Sequence, residues 1–94
     1  MIEVDGQDVT FFVSGSTPVA KLGSAIAHGV YAEKNIRLRA IGPGPISQAQ
    51  KAVAVAIGFA APRGYRLATI PSFEEVSMPD RTVTALVFQV VVLK

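Results

Sequence analysis

The stretch IRLRAIGPGPISQAQKAVAVAIGFAA, residues 36–61, decides the fold of this 94-residue chain. Its first six residues alternate as those of a β-strand do. Ile36 and Leu38 share one face of that strand, whereas Arg37 and Arg39 share the other. Because the apolar side chains are expected to face a core, the two arginines are predicted to stand together on the open face of a sheet.

A Gly/Pro turn follows this strand, and a helix begins after it. The sequence of residues 42–45, GPGP, fits neither a strand nor the interior of a helix, and Pro45 suits a first helical position. From Ala52 to its predicted end near Ala61 the helix is apolar on almost every side. Such a helix is either deeply buried or shared with a partner, and deep burial is hard to arrange in a small domain. We therefore expect a homo-oligomer interface formed by Val55, Phe59 and, on the last strand, Phe88.

An acidic arm and a strand open the chain. Residues 1–8 are polar and acidic, and we expect a loose arm there, with the alternative that Ile2 and Val4 pair with the edge of a sheet. Val9–Ser14 alternates as a strand does, with a phenylalanine on each face. Both faces of this strand are therefore expected to be at least partly covered.

A first helix follows that strand. Thr17 is placed to accept hydrogen bonds from the first free amides as the N-cap residue, and Pro18 suits the first helical position. We predict a helix to about Lys34, ended by Asn35 in the left-handed conformation. Gly23 and Gly29 lie inside this helix and lower its stability, so their expected use is to let another helix approach closely.

Two strands close the chain. We predict a strand over Tyr65–Phe73, in which Pro71 marks an edge position, a bulge or the strand's end. Met78-Pro79-Asp80 is typical of a hairpin tip, and Thr82–Leu93 of a long apolar strand. The order β-α-β-α-β-β predicts one domain of the α/β class, an α+β two-layer sandwich with a four-stranded mixed sheet under two helices.

Charge is unevenly distributed, although the formal net charge is only +2. Residues 34–73 include six basic residues and no acidic residue: Lys34, Arg37, Arg39, Lys51, Arg63 and Arg66. This pattern indicates either a local positive field or ordinary solvated surface charge, and both interpretations stay open. The absence of cysteine excludes disulfides and thiolate metal sites, and no apolar run is long enough to cross a bilayer. We expect a soluble cytoplasmic protein that does not contact a membrane.

Candidate catalytic groups are scarce. His28 is the single histidine, and no spacing brings carboxylates to it for a metal site. Glu74 and Glu75 are adjacent, so in a strand they point to opposite faces. The GPGP turn before a helix could bind phosphate through free amides, but its two prolines remove two of them and no P-loop sequence follows. We therefore expect a non-enzymatic protein without cofactor or metal.

Nucleic-acid binding requires only positive charge and hydrogen-bond donors along a surface. Both helices follow parallel strands, so both helix starts are expected at the same edge of the sheet, and the hairpin could reach further as an arm. Among the aromatic residues, Tyr65 is expected to be the one able to stack on a base. The candidate nucleic-acid-binding residues are Ser16, Thr17, Lys21, Arg39, Gly42, Gly44, Gln48, Lys51 and Arg81.

The sequence also resembles a known family. The run AIGPGPISQAQKAVAVAIGFAAP (residues 40–62), the IPSF of residues 70–73 and the pair Arg81-Thr82 are similar to the small bacterial stage V sporulation protein S family. That family resembles the Alba chromatin proteins in fold. The resemblance therefore implies an Alba-like fold, a homodimer or homotetramer, and a nucleic-acid-binding or regulatory role.

Two hypotheses remain open. In the first, the protein is a small oligomeric regulator that binds the phosphates of DNA or RNA. Alba proteins carry lysines where this chain has Ser16 and Thr17 and an arginine where it has Gly44, so loop amides, Gln48 and Lys51 would replace those contacts. In the second, it is a homo-oligomeric protein-interaction module without nucleic-acid binding. Salt-dependent binding distinguishes the two.

Overall fold

The structure, a computed structural model, describes residues 2–93. In chain order its elements are β1 (Ile2–Asp5), β2 (Asp8–Val13), α1 (Val19–Tyr31), β3 (Asn35–Ala40), α2 (Pro43–Ala60), a 3-10 turn (Ala61–Arg63), β4 (Arg66–Ser77) and β5 (Thr82–Leu93). The strands form one mixed sheet in the order β1-β2-β3-β5-β4, and the two helices pack side by side on one face of it. The predicted α+β two-layer architecture is confirmed, with five strands instead of four.

The additional strand is β1, at the start of the chain. It pairs antiparallel with β2, so that Ile2 lies opposite Phe11 and Val4 opposite Val9. Gly6 makes the connecting turn with a φ of 63°, a conformation that glycine adopts without strain. The alternative that Ile2 and Val4 pair with a sheet edge is therefore the one observed, in place of a loose arm; Met1, also part of the predicted arm, lies outside the described residues.

The core lies between the helices and the sheet. Ile36 and Leu38 of β3 are fully buried under the helices, whereas Arg37 between them is exposed, as the alternation predicts. The helices approach closely at Gly23, where an added Cβ atom would lie 2.5 Å from Cγ1 of Val55. The prediction of close helix approach is confirmed for Gly23. It is wrong for Gly29, which approaches β3 instead, since an added Cβ atom would lie 2.5 Å from Cδ1 of Ile36.

The ends of α1 differ from the prediction. Thr17 is not the N-cap residue of α1, because Pro18 takes that position. The hydroxyl of Thr17 accepts a 2.8 Å hydrogen bond from the amide of Ser14, the residue that follows β2. At the other end, Glu33 and not Asn35 adopts the left-handed conformation, with a φ of 58°. Asn35 is held in β3 instead, since its side-chain amide donates to Asp8 of β2 at 3.0 Å.

The helix α2 begins two residues earlier than predicted. Gly42 is its N-cap residue, with a φ of 91°, and Pro43 is its first helical residue. Pro45 therefore lies within the first turn, where the missing amide of proline costs no helical hydrogen bond. The end at Ala60 agrees with the prediction to one residue.

The strands β4 and β5 form a long hairpin, which closes where the amide of Met78 donates to the carbonyl of Arg81 at 2.7 Å. The predicted hairpin tip and last strand are confirmed, while β4 extends to Ser77. The strand β5 lies between β3 and β4, so among residues 2–93 only β2 and β3 form a directly paired parallel couple. Of the three alternatives for Pro71, the edge position is the one observed, because β4 is an edge strand and continues past Pro71 to Ser77.

Candidate nucleic-acid interface

The starts of both helices meet at one end of the sheet. They follow the parallel strands β2 and β3, whose last residues Val13 and Ala40 are paired in register. The side-chain amide of Gln48 donates a 2.9 Å hydrogen bond to the carbonyl of Thr17, and so joins the two helix starts. The structure therefore brings together the two loops that hold Ser16, Thr17, Gly42 and Gly44, as the sequence predicts.

The two helix starts differ in the amides that they leave free. In α1 the first helical hydrogen bond runs from Leu22 to Pro18, so the amides of Val19, Ala20 and Lys21 have no acceptor among residues 2–93. No side chain caps this helix and its first turn has no acidic residue. In α2 two of the first three residues are prolines, so Gly44 alone of these three supplies an amide. The positive end of a helix is thus more accessible at α1.

The loop before α1 has a group of three hydroxyls. The Oγ of Ser14 lies 3.2 Å from the Oγ of Ser16 and 3.1 Å from the Oγ1 of Thr17. The amides of Ser14 and Ser16 donate within the same group, at 2.8 and 3.3 Å. These bonds fix the loop conformation and leave hydroxyls at the surface beside the free amides of α1.

A shallow cleft of about 470 Å³ separates the two strand–helix loops. Arg39 lies along it, with its guanidinium carbon 4.3 Å from the ring centre of Phe12. Its Nη1 also donates to Oε1 of Glu74 at 2.9 Å. Arg39 is therefore held in place by a ring and a carboxylate, and its charge is paired with that of Glu74.

The remaining predicted cations take different positions. Lys21 is exposed in the first turn of α1, and Arg81 is exposed at the hairpin tip. The pairing of β3 with β5 ends at Ala40 and Leu86, and the hairpin continues beyond this pair through Thr82–Ala85. This extension is about 13 Å long and lies at the end of the sheet where the helices start. Lys51 is the ninth residue of α2 and lies about 12 Å along the helix from its start. It is therefore set apart from the candidate residues in the two strand–helix loops.

The basic stretch does not form a single patch. Lys34 and Arg66 lie at the opposite end of the sheet, where β3 and β4 begin, and Arg63 follows the end of α2. Only Arg39 of the six is at the helix-start end, and it is paired with Glu74. The interpretation as ordinary distributed surface charge therefore fits the structure better than a local positive field.

Burial contradicts one of the three residues predicted for the oligomer interface. Phe88 is 3% exposed within the core of the single chain, so it has no surface for a partner. Val55 is half-buried against Gly23 of α1. Phe59 is 51% exposed, and Tyr65 packs against Tyr31 at the same end of α2, far from the helix starts. Tyr65 is thus not placed to stack on a base bound at those starts.

A second exposed phenylalanine lies on the edge strand. Phe73 of β4 is 78% exposed. Phe73 and Leu67 are six residues apart in β4, so their side chains point to the same face of the sheet. Leu67 lies in the core, and Phe73 therefore points to the helix side of the sheet, at the level of Ala40 and Leu86. Pro71, two residues before it, marks the edge of the sheet and is the signal that could have predicted its exposure.

The described residues offer neither a metal-binding cluster nor a membrane-spanning helix. Among residues 2–93, no three His, Cys, Asp or Glu side chains are grouped so as to hold a metal ion. Over the same residues, no helix is both long enough and apolar enough to cross a membrane.

A comparison with protein families agrees with this architecture. The family model for stage V sporulation protein S matches residues 9–93, which run from β2 to the end of β5. The order of elements over this range, β-α-β-α-β-β, is compatible with an Alba-like fold. The match covers far more than half of the sequence. The chain therefore belongs to the stage V sporulation protein S family, a family of small sporulation-related proteins.

Proposed function

We propose that this protein is a small oligomeric regulator that binds the phosphate backbone of a nucleic acid and catalyses no reaction. The observation that carries the proposal is the meeting of both helix starts at one end, joined by the hydrogen bond from Gln48 to Thr17, with the hairpin projecting past them on the same side. Nucleic-acid backbones are bound by such combinations of amides, hydroxyls and cations.

The start of α1 is the proposed phosphate contact. The amides of Val19, Ala20 and Lys21 are free at the helix start, Lys21 is exposed in the same turn, and the hydroxyls of the Ser14–Thr17 loop come just before it. The loop before α2 contributes the amide of Gly44. These groups recognise an anion and carry no information about bases, so binding is expected to be independent of sequence.

Arg81 supplies a second contact at a distance. It is exposed at the tip of a hairpin that extends about 13 Å beyond β3. A duplex or strand lying against the helix starts would therefore also pass the hairpin. Few cations take part, and each neutralised phosphate contributes about 0.9 to the salt slope of binding, so we expect modest affinity.

Oligomerisation is proposed to use the edge strand β4, on the side of the sheet that carries the helices. Phe73 is 78% exposed there, at the level of Ala40 and Leu86. Burial of its side chain against a second copy would stabilise a dimer. A dimer also doubles the number of phosphate contacts, which raises affinity when both copies engage the same strand.

A second candidate function is a protein-interaction module without nucleic-acid binding. The exposure of Phe73 and of Ile70, which is 55% exposed on the other side of β4, favours it. The compensation of Arg39 by Glu74 favours it as well, because an arginine with its own carboxylate contributes less to binding an anion.

Fluorescence anisotropy distinguishes these functions. The intact protein is titrated into labelled duplex DNA and into labelled single-stranded RNA, from low to physiological salt. Nucleic-acid binding predicts micromolar affinity that falls with salt, and the slope gives the number of phosphates engaged. Absence of binding at low salt for both probes contradicts the proposal and favours the interaction module.

A further inference from the structure

A second cleft lies at the opposite end of the helix layer from the helix starts. It has a volume of about 280 Å³ and opens between the end of α1 and the end of α2. It is lined by one small apolar side chain, two large aromatic side chains and three polar side chains. These are Ala27, then Tyr31 and Phe59, and then Ser24, His28 and Arg63. None of these residues belongs to the proposed nucleic-acid surface.

Arg63 is the charged group of this cleft. Its guanidinium carbon lies 4.2 Å from the ring centre of Tyr31, in a cation–π contact that holds the side chain against the ring. Within the described residues, its nitrogens have no hydrogen-bond acceptor and no carboxylate within 4.0 Å. An oriented guanidinium with unused N–H groups is the side chain best suited to bind a carboxylate through two hydrogen bonds.

Tyr31 is itself fixed. Its hydroxyl donates a 3.0 Å hydrogen bond to the carbonyl of Phe59, and its ring centre lies 5.5 Å from that of Tyr65. The hydroxyl therefore satisfies one of the carbonyls at the end of α2, and the amide of Tyr65 satisfies the next, on Ala60, at 3.2 Å. The negative end of this helix is thus partly neutralised, which lowers its repulsion of an anion in the cleft.

His28 presents one defined nitrogen. Its Nδ1 lies 2.8 Å from the carbonyl oxygen of Ser24, and because a carbonyl only accepts, Nδ1 is the nitrogen that carries the hydrogen. Nε2 is then the ring nitrogen left for a ligand. The ring is exposed and meets Tyr31 edge to face, with centres 6.0 Å apart.

We propose that this cleft binds a small aromatic carboxylate. The exposed ring of Phe59 and the fixed ring of Tyr31 accommodate a flat apolar body, the small side chain of Ala27 leaves room beneath it, and Arg63 binds the carboxylate. A volume of about 280 Å³ is at the lower end for ligand pockets and suits a single-ring compound. The site is separate from the nucleic-acid function and does not depend on it.

The test is a titration of the intact 15N-labelled protein with phenylacetate, followed by NMR chemical shifts of backbone amides. We expect saturable shifts at Ala27, Tyr31 and Phe59, with a dissociation constant of about 1 mM, as for a small ligand held by one ion pair and one ring. Phenylacetamide, which has the same ring and no charge, is expected to bind about tenfold more weakly or worse.

Two variants with matched chemistry complete the test. Arg63→Gln is expected to weaken phenylacetate binding by about tenfold or more, whereas Arg66→Gln, an exposed arginine outside the cleft lining, changes it less than twofold. Phe59→Leu, which removes one ring, should weaken binding while circular dichroism confirms the fold. Shifts that do not saturate, equal binding of the amide, or an unaffected Arg63→Gln variant would each overturn the proposal. So would a dimer, detected by sedimentation, whose formation requires Phe59 and excludes phenylacetate.

Discussion

The side-chain amide of Gln48 lies 2.9 Å from the carbonyl oxygen of Thr17, 31 residues earlier in the chain, and donates a hydrogen bond to it. This partly buried bond links the second turn of α2 to the loop just before α1, and no side chain among residues 2–93 caps the start of either helix. It therefore fixes the relative position of the two loops on which the proposed phosphate contacts depend.

The first prediction concerns this bond. Gln48→Glu is expected to lower the free energy of unfolding by about 1–3 kcal/mol at neutral pH, because a carboxylate cannot donate to a carbonyl. Facing that carbonyl, the new carboxyl group has a pKa that is higher in the folded than in the unfolded protein. Stability is therefore retained below the unfolded pKa, about 4.3, and lost as the pH rises through the folded pKa.

Urea unfolding of this variant between acid and neutral pH is the measurement, with the exposed Gln50→Glu as control. The control has no comparable bond to lose. If both variants show the same pH dependence, the bond from Gln48 does not stabilise the protein.

The second prediction concerns the contact between the helices. Gly23→Ala is expected to destabilise the protein by about 1–2 kcal/mol, because the added methyl group meets Val55 and the carbonyl of Ala52. This cost outweighs the gain in helix propensity of about 1 kcal/mol. Gly58→Ala in α2 is the control, since nothing lies within 4 Å of its added methyl group, and it should be stabilising. Thermal and urea unfolding measure both, and a stable Gly23→Ala variant would show that the helices can move apart.

The third prediction concerns the left-handed residue after α1. Glu33 has a φ of 58°, which is unfavourable for a residue with a Cβ atom. Glu33→Gly removes this cost in the folded protein but increases the entropy of the unfolded chain, which offsets part of the gain. The net effect is expected to be a stabilisation of roughly 0.5–1 kcal/mol. Ala32→Gly, at a φ of −87°, is the control and should be destabilising. A calorimetric measurement in which Ala32→Gly is more stable than Glu33→Gly would contradict this prediction.

The fourth prediction separates the two candidate oligomer surfaces. Phe73→Asp is expected to lower the molar mass in solution, because it places a charge at the proposed contact surface of β4. Phe59→Asp, on the cleft at the end of α2, should leave the mass unchanged. Size-exclusion chromatography with light scattering measures both variants at the same concentration. A decrease in molar mass for Phe59→Asp alone would show that the interface lies at the end of α2, where the sequence predicts it.

The fifth prediction concerns the nucleic-acid surface. Lys21→Glu and Arg81→Glu are each expected to weaken binding and to reduce the salt slope by about 0.9, since each removes one phosphate contact. Arg39→Glu and Lys51→Glu should have smaller effects, because Arg39 is paired with Glu74 and Lys51 lies further along α2. Arg66→Glu, at the opposite end of the sheet, is the control. Unchanged affinity in the first two variants would place any nucleic-acid site elsewhere.

Most of the architecture follows from patterns in the sequence. Apolar alternation in Ile36–Ala40, the GPGP turn and the β-branched residues of the last strand each predict the element that is observed. The short strand β1 escapes firm prediction because it has only four residues, all of them exposed, and the alternation of Ile2 and Val4 with two acidic residues is too short to exclude a loose arm. Its formation depends on the neighbouring β2, and pairing between strands is not visible in local sequence.

The candidate site is predictable only in outline. The meeting of the helix starts follows from two parallel strands, but the partner of Arg39 does not, because Glu74 is 35 residues away and reaches it through the pairing of β3, β5 and β4. Likewise, Phe59, Phe73 and Phe88 are alike as apolar residues in sequence. Their exposures of 51%, 78% and 3% are decided by where the helix layer ends over the sheet.

Pro71 has a consequence for how copies of this protein can associate. The strand β4 offers the longer free edge of the sheet, and a proline cannot donate a backbone hydrogen bond to a strand added there. It divides the edge into Arg66–Ile70 and Ser72–Ser77, so an added strand meets an interruption in either direction. Growth of the sheet from molecule to molecule, the first step of fibre formation, is thereby opposed, and assembly through side chains is favoured over continuous strand pairing.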